Sequence, residues 1–425
     1  MEGLRDVRSW LFWPTVILIL GVFFFVDAHD LFWSVGELKD VSDSAAEVEE
    51  GSELRRISLL LLGAFGVFGL LRSEFKPPRP WGLPGWLMLF FVFWAFLSLT
   101  WTEDVGMTSR RLVSLAMLCL GAFGIARTLS VRSIVLMVFV VTAAYLTVGL
   151  AAEVFLRTFF PLDPDYRFAG GMHPNHQGIN CGLLLLSTLF LAKDVRWWRR
   201  VLFLTAAGVA FAFLVLTRSR TSFGGVLFAL LVYWSLVVPG PQKTVPVLVA
   251  GIISTLLVLF FGDALFHHFA EGLLLGRADD PDSVSLLTGR IPIWKDSVEF
   301  IVKRPLQGYG YGAFWTPHHI FEISASQNWP VAEAHSAYVE LTLSLGLAGT
   351  ITYVLMLLGG VLCSIRYEYF GNDCRFFGVL LIFCMLEGLL ESATVAPCLI
   401  FFLSVVALVY LGFTAPSYTN NRTAR

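Results

Sequence analysis

Charge is scarce in this chain. Asp, Glu, Lys and Arg together make up 15% of its 425 residues, against about 25% in ordinary soluble proteins. A water-facing surface for a chain this long needs more polar groups, so a soluble fold is excluded. The two signs nearly cancel, with 30 basic and 32 acidic side chains, and this lack of a polybasic signature argues against nucleic acid as a partner. Cysteine is sparse too. No CxxC pair occurs among the six; five lie in or beside apolar runs and Cys374 in a short polar loop, so neither a disulfide framework nor a thiolate metal site is supported. HExxH is missing, and no βαβ pattern surrounds the glycine-rich Gly308-Tyr309-Gly310-Tyr311-Gly312, which reads instead as a turn presenting tyrosines to a sugar or headgroup.

What is abundant is apolar surface. Hydrophobic residues make 56% of the chain, including 38 Phe and 13 Trp, and the mean hydropathy is +0.72. Such a chain needs lipid as its solvent. Apolar runs able to cross ~30 Å of hydrocarbon fall near 10–27, 57–71, 83–101, 112–127, 133–157, 177–192, 201–217, 222–238, 245–262, 337–364, 376–393 and 395–412. The expected fold is therefore an all-α polytopic membrane protein of about twelve spans. It divides into an N-terminal bundle over 1–262 with an acidic loop at 28–54, a polar loop domain over 263–336 carrying amphipathic helices, and C-terminal spans with a short tail over 337–425. Arg5 and Arg8 before the first run resemble a signal sequence, but Val26-Asp27-Ala28 is a poor cleavage site, so this segment reads as an uncleaved first span.

Orientation follows from the basic loops. With both termini inside, Lys193, Arg196, Arg199, Arg200, Arg366 and Arg375 crowd short cytoplasmic segments, as the positive-inside rule requires, while Arg55, Arg56, Arg110 and Arg111 run against it. All eight histidines then fall outside, with the 263–336 insertion. A loop of that length is usually functional, and the outer face becomes the working face.

Four blocks there carry candidate chemistry. In Thr217-Arg218-Ser219-Arg220-Thr221-Ser222, two arginines alternate with hydroxyls in a turn that opens a helix, so guanidinium forks and backbone N–H groups converge as an anion site suited to phosphate. A snorkelling interfacial arginine explains Arg218 as readily; Arg220 lies deeper. In Gly289-Arg290-Ile291-Pro292, Arg290 heads an amphipathic helix with Trp294, Val298, Ile301 and Val302 as its apolar stripe. The Tyr166–His176 stretch supplies Arg167, a Gly170-Gly171 turn and Asn175 as an available N-cap. Finally, His335 precedes the tenth span. Gly346 follows eleven residues later, about three turns at 3.6 per turn, so a close helix approach at the glycine would fix an imidazole above it. A lone histidine at a helix end is commonly structural; beside several arginines it suits base catalysis next to a phosphate leaving group. Metal binding by Asp27-Ala28-His29-Asp30 or His173-Pro174-Asn175-His176 is the weaker reading, because Pro174 breaks the helical register that paired ligands use.

Taken in order, these blocks resemble the O-antigen ligase and polymerase superfamily of bacterial envelope glycan enzymes. Leu97 to Asp104 is similar to its early "LS..WS.D" segment, Arg167 through Pro174-Asn175 to "R..G...HPN", and Ser219-Arg220-Thr221 to "SRT". Gly289-Arg290 with Trp294 and Pro305 to Gly310 matches "GR...W......PL.GYG", and His335-Ser336 with Gly346 resembles the ligase pattern of His, a small polar residue, nine residues and Gly. The resemblance implies an inverting, metal-independent, GT-C-like transferase without cofactor in the bacterial inner membrane, its active site facing the periplasm. It would move a glycan from undecaprenyl diphosphate to a hydroxyl of a lipid-linked or surface acceptor such as lipid A core. Arg167, Arg220, Arg290 and Arg218 would hold the donor diphosphate and His335 would be the catalytic base, with Asn175, Ser219, Thr221 and Gly346 in support. The alternatives are a surface polysaccharide polymerase of the same superfamily, and a transporter or lipid flippase, whose charges belong near the bilayer midplane.

This topology predicts that reporter fusions after Lys193 and within 366–375 read as cytoplasmic and fusions near 280 as external. A cytoplasmic readout at 280 contradicts it.

Overall fold

The apolar runs become helices because a segment in lipid must satisfy its own backbone N–H and C=O groups. In the computed structural model, residues 9–27, 29–31, 41, 42, 46, 48, 51–72, 78–164, 166–193, 195–237, 290–327, 329–369 and 374–414 are described. Every regular element among them is helical. In chain order these are α1 (Ser9–Val26), α2 (Glu53–Leu71), α3 (Gly82–Leu97), α4 (Val105–Thr128), α5 (Val131–Leu156), α6 (Pro174–Leu191), α7 (Trp197–Leu216), α8 (Arg220–Val237), α9 (Arg290–Lys303), α10 (Pro317–Gln327), α11 (Ala337–Tyr369), α12 (Arg375–Leu390) and α13 (Leu399–Phe413).

Seven stretches of the described residues are long and apolar enough to cross a membrane: α2 to α5, α7, α11 and Ser392–Phe413. That supports a multi-pass helical membrane protein, but not the full count of twelve. α1 falls among the shorter apolar helices. α6, α8 and α12 coincide with expected spans; α6 is diluted by Asn175, Gln177 and Asn180, and α12 is only 16 residues long. These helices line the candidate site described below. The expected span at 245–262, most of the acidic loop at 28–54 and the first part of the polar loop, through Gly289, lie outside the described residues.

Glycine sets the closest packing. Gly63, Gly66 and Gly69 of α2 face Met117, Leu120 and Gly124 of α4 in a register that advances together, so the two helices run parallel. A Cβ on Gly66 would lie 2.1 Å from the Leu120 carbonyl oxygen, and only small residues allow backbones so near. α12 and α13 are buried on nearly all sides; α12 packs on α8 and α11, and α13 on α3 and α4.

A second, smaller core belongs to the segment around α9 and α10. Ile293, Phe300, Phe314, Ile320, Ile323, Val331 and Leu343 pack together there, with Tyr309 and Trp315. The tyrosines of the glycine-rich stretch are thus not presented outward: Tyr309 and Tyr311 are buried. The phenol of Tyr309 donates to the Phe300 carbonyl at 3.0 Å, and the Tyr311 backbone N–H donates to Ser98 Oγ at 3.0 Å.

Gly346 is approached differently from the helix contact its spacing suggested. α11 breaks there, with φ 66° and ψ −172°, a region essentially confined to glycine. The chain at 305–310 docks into the break. Leu347 N–H donates to the Pro305 carbonyl (2.8 Å), and Tyr309 and Gly310 N–H donate to Leu343 (2.8 Å) and Ser344 (2.9 Å). A Cβ on Gly346 would sit 2.2 Å from the Leu306 carbonyl carbon.

Gly346→Ala therefore combines backbone strain of roughly 1–3 kcal/mol with a clash against fixed backbone. Its yield of folded protein in detergent and its thermal midpoint are expected to fall well below wild type. Wild-type values for both would show that the docked segment yields freely.

Candidate active site

The site begins with the loop before α6. Near the end of α5, Glu153 is buried and its Oε1 accepts N–H groups from Ala169 (3.0 Å) and Gly170 (2.7 Å), while Oε2 accepts the Tyr166 hydroxyl. A carboxylate taking backbone donors fixes a loop strongly. Gly149 lets that loop touch α5, since a Cβ there would lie 2.5 Å from the Gly170 carbonyl oxygen. The loop also pairs with the turn before α8: Phe168 N–H donates to Leu216 O at 2.9 Å, and Arg167 Nε to Thr217 O at 3.1 Å.

Arg167 is thereby aimed at Asn175, donating to its Oδ1 at 2.9 Å. Asn175 is not the N-cap that its position suggested. His173 takes that place, its Nδ1 accepting Asn175 N–H at 3.3 Å with Pro174 following, because proline needs no partner in the first turn. The amide of Asn175 is thus free to donate at 2.8 Å to Glu391 Oε1, and the same oxygen accepts Arg290 at 2.7 Å. Arg167, Asn175, Glu391 and Arg290 form one chain of charge-assisted hydrogen bonds linking α6, α9 and the end of α12. Glu391 is buried, with its side chain 4% exposed against 14% for Arg290.

His335 stands beside this chain. Its φ of 50° is left-handed, uncommon for a residue with a side chain, and the neighbouring peptide is clamped to hold it. Ala334 N–H donates to Glu340 Oε1, and Ala334 O accepts Trp294 Nε1 at 2.8 Å. Glu340 is itself held by Trp315 Nε1 at 2.9 Å to both oxygens. The imidazole Nδ1 lies 3.1 Å from Glu333 Oε1. Burial pushes the His335 pKa below its usual value; the Glu391 carboxylate opposes that and the Arg290 charge adds to it. The neutral imidazole, which is the basic form, is favoured. His173 also belongs here, since the charges of His176, Arg167, His335 and Arg290 all act on it.

The other sequence-derived residues divide. Ser219 and Thr221 are buried in the turn that receives Arg167, and a Cβ on Gly178 of α6 would lie 2.6 Å from Ser219 Cβ. Arg220 opens α8 from this turn. Arg218 adopts φ 53° and donates to the Asp163 carbonyl at 3.3 Å, toward the loop after α5. Gly346 acts at a distance, as the docking point beneath the α9 segment. Sequence reasoning missed Glu391, Glu153, Glu340 and Glu333. For the first three the signal was present: acidic residues in or beside apolar runs, where an unpaired carboxylate is costly. Asp27, raised as a metal ligand, instead accepts Leu399 N–H at 3.1 Å, and His29 stacks on Phe24 at 4.9 Å. Among the described residues no group of three or more His, Cys, Asp or Glu is arranged to hold a metal.

Fold and site together define a helical membrane protein with an arginine-rich, histidine-bearing centre at the ends of its helices. Residues 205–354 match the family model described as O-antigen ligase. The match covers 150 of the 425 residues and supports the resemblance to the O-antigen ligase superfamily seen in the motifs. The matched segment contains Arg218, Arg220, Arg290 and His335; Arg167, Asn175 and Glu391 lie outside it in sequence and reach it only through the fold. No curated protein matches the chain.

Removing one member of a buried pair costs ~3–5 kcal/mol, because the partner charge is stranded. Glu391→Ala is therefore expected to lower the thermal midpoint of the detergent-purified protein markedly. Glu391→Gln, which can still accept from Asn175, should lower it less. Equal midpoints for wild type and Glu391→Ala would mean that the chain of bonds does not stabilise the fold.

Proposed function

We propose that the protein is an O-antigen ligase-like glycosyltransferase that moves a glycan from undecaprenyl diphosphate to an acceptor hydroxyl at the periplasmic face of the inner membrane. The observation that carries this reading is the convergence of Arg167 and Arg290, held through Asn175 and Glu391, beside His335. A guanidinium has five donors in a planar fork. One of those of Arg290 engages Glu391, and further donors can take diphosphate oxygens.

In the proposed reaction the acceptor oxygen attacks the anomeric carbon from the face opposite the diphosphate. The carbon–oxygen bond to the diphosphate breaks, and undecaprenyl diphosphate leaves with the electron pair. His335 receives the proton of the acceptor hydroxyl. Arg167, Arg290 and Arg220 stabilise the charge growing on the leaving group, the contribution that usually dominates such barriers. Fixed guanidinium groups can do this without a metal ion. The position of the charged residues supports a transferase over a transporter. Asn175, Arg220, Arg290, His335 and Glu391 stand at or just beyond helix ends and Arg167 in the loop between α5 and α6, whereas a carrier gathers its binding charges near the midplane.

The roles separate by substitution. His335→Ala is expected to cost ~10²–10⁴ in turnover while binding of labelled undecaprenyl diphosphate glycan persists. Arg290→Lys and Arg220→Lys keep the charge but lose the bidentate fork, so donor binding should weaken. Loss of donor binding in His335→Ala, with both lysine variants fully active, would reverse the assignment.

A further inference from the structure

Two tryptophans hold the peptide before His335 and a third faces its ring. Trp294 and Trp315 are tied by their indole N–H groups to Ala334 O (2.8 Å) and to Glu340 (2.9 Å), and both serve the peptide before His335. Trp329 differs. It is 40% exposed, and among the described residues its N–H donates to no partner. Its ring lies nearly parallel to the His335 imidazole, 25° between planes with centroids 6.4 Å apart, close enough to flank it. Glu333, also half exposed, contacts the same imidazole at 3.1 Å.

His335 thus has two unlike sets of neighbours. Toward Glu391 and Arg290 the surroundings are cationic, hydrogen-bonded and buried, suited to a diphosphate. Toward Trp329 and Glu333 they offer an open aromatic face, an idle N–H donor and a carboxylate acceptor. A pyranose matches that second set. Its axial C–H bonds make an apolar face that packs on the electron-rich face of an indole, while its hydroxyls need donors and acceptors at the ring edge.

We propose that Trp329 and Glu333 form the subsite for the acceptor sugar, with a pyranose ring stacked on Trp329 so that its nucleophilic hydroxyl meets His335. This deepens the transferase reading and rests on it. Diphosphate recognition and sugar recognition then adjoin one imidazole, which holds the acceptor oxygen against the anomeric carbon. The indole supplies shape and Glu333 selects the hydroxyl pattern.

The test uses the full-length protein in lipid nanodiscs and saturation-transfer NMR with the methyl pyranosides of glucose, galactose, mannose and N-acetylglucosamine, each alone. At least one should give ring C–H signals with wild type. Trp329→Ala should weaken that sugar by roughly 3–10-fold, the scale of one aromatic contact, and Trp329→Phe should retain most of the binding. Undecaprenyl diphosphate, measured separately, should bind wild type and Trp329→Ala alike. The subsite is overturned if no pyranoside engages wild type, or if Trp329→Ala binds as wild type does, the result expected of a plain membrane-interface anchor. It is equally overturned if both variants lose the sugar and the diphosphate lipid together, since the indole then holds the fold. Pyranoside binding through Trp329 without any binding of undecaprenyl diphosphate would instead contradict the transferase reading and leave the sugar subsite standing.

Discussion

A buried carboxylate between two cationic arms organises this molecule. Glu391 is nearly sealed from solvent, and in so poor a dielectric its charge is tolerable only with partners. It takes Asn175 and Arg290 on one oxygen, and Asn175 carries the linkage on to Arg167. Remove that carboxylate and two arginines from distant parts of the chain have no common anchor. With it, guanidinium groups contributed before α6 and at the head of α9 are fixed beside an imidazole contributed before α11.

The rest of the fold serves that meeting. Glu153 ties down the Arg167 loop, and Glu340 with Trp294 and Trp315 clamps the peptide preceding His335. The break at Gly346 lets the 305–310 chain plug into α11, which seats the small core around α9 and hence Arg290. Each tie is a polar group held in an otherwise apolar surround, where hydrogen bonds are stronger and unmade ones dearer. Helix ends, where backbone groups already lack intrahelical partners, are where such ties collect.

Much of this was legible in the sequence, for identifiable reasons. Spans such as α5 and α11 announce themselves because lipid demands long apolar runs, and Arg167, Arg290 and His335 stood out because charge is so rare elsewhere in the chain. The division of labour within a turn was less legible. Asn175 looked like a cap by residue type, yet His173 caps and Asn175 bridges; Arg218 and Arg220 are two residues apart, yet Arg218 turns toward Asp163. Tyr309 and Tyr311 looked available because glycines flank them, whereas those glycines let the chain press close enough to bury both rings. Glu391 is marked in the sequence as an acid beside an apolar run, but its partners, 101 and 216 residues away, leave no local pattern. α6 stands apart from the clearest spans for a related reason: a helix that lines a polar site gives up apolar residues to do so.

The most direct test of the central claim is a cryo-electron microscopy map of the full chain in nanodiscs with undecaprenyl diphosphate added. Diphosphate density within hydrogen-bonding distance of Arg290 and Arg167, adjacent to His335, with Glu391 still bonded to Arg290, is the predicted result. Diphosphate density bound elsewhere in the bundle, or a lipid headgroup that displaces Glu391 from Arg290 and draws the two arginines apart, would contradict it.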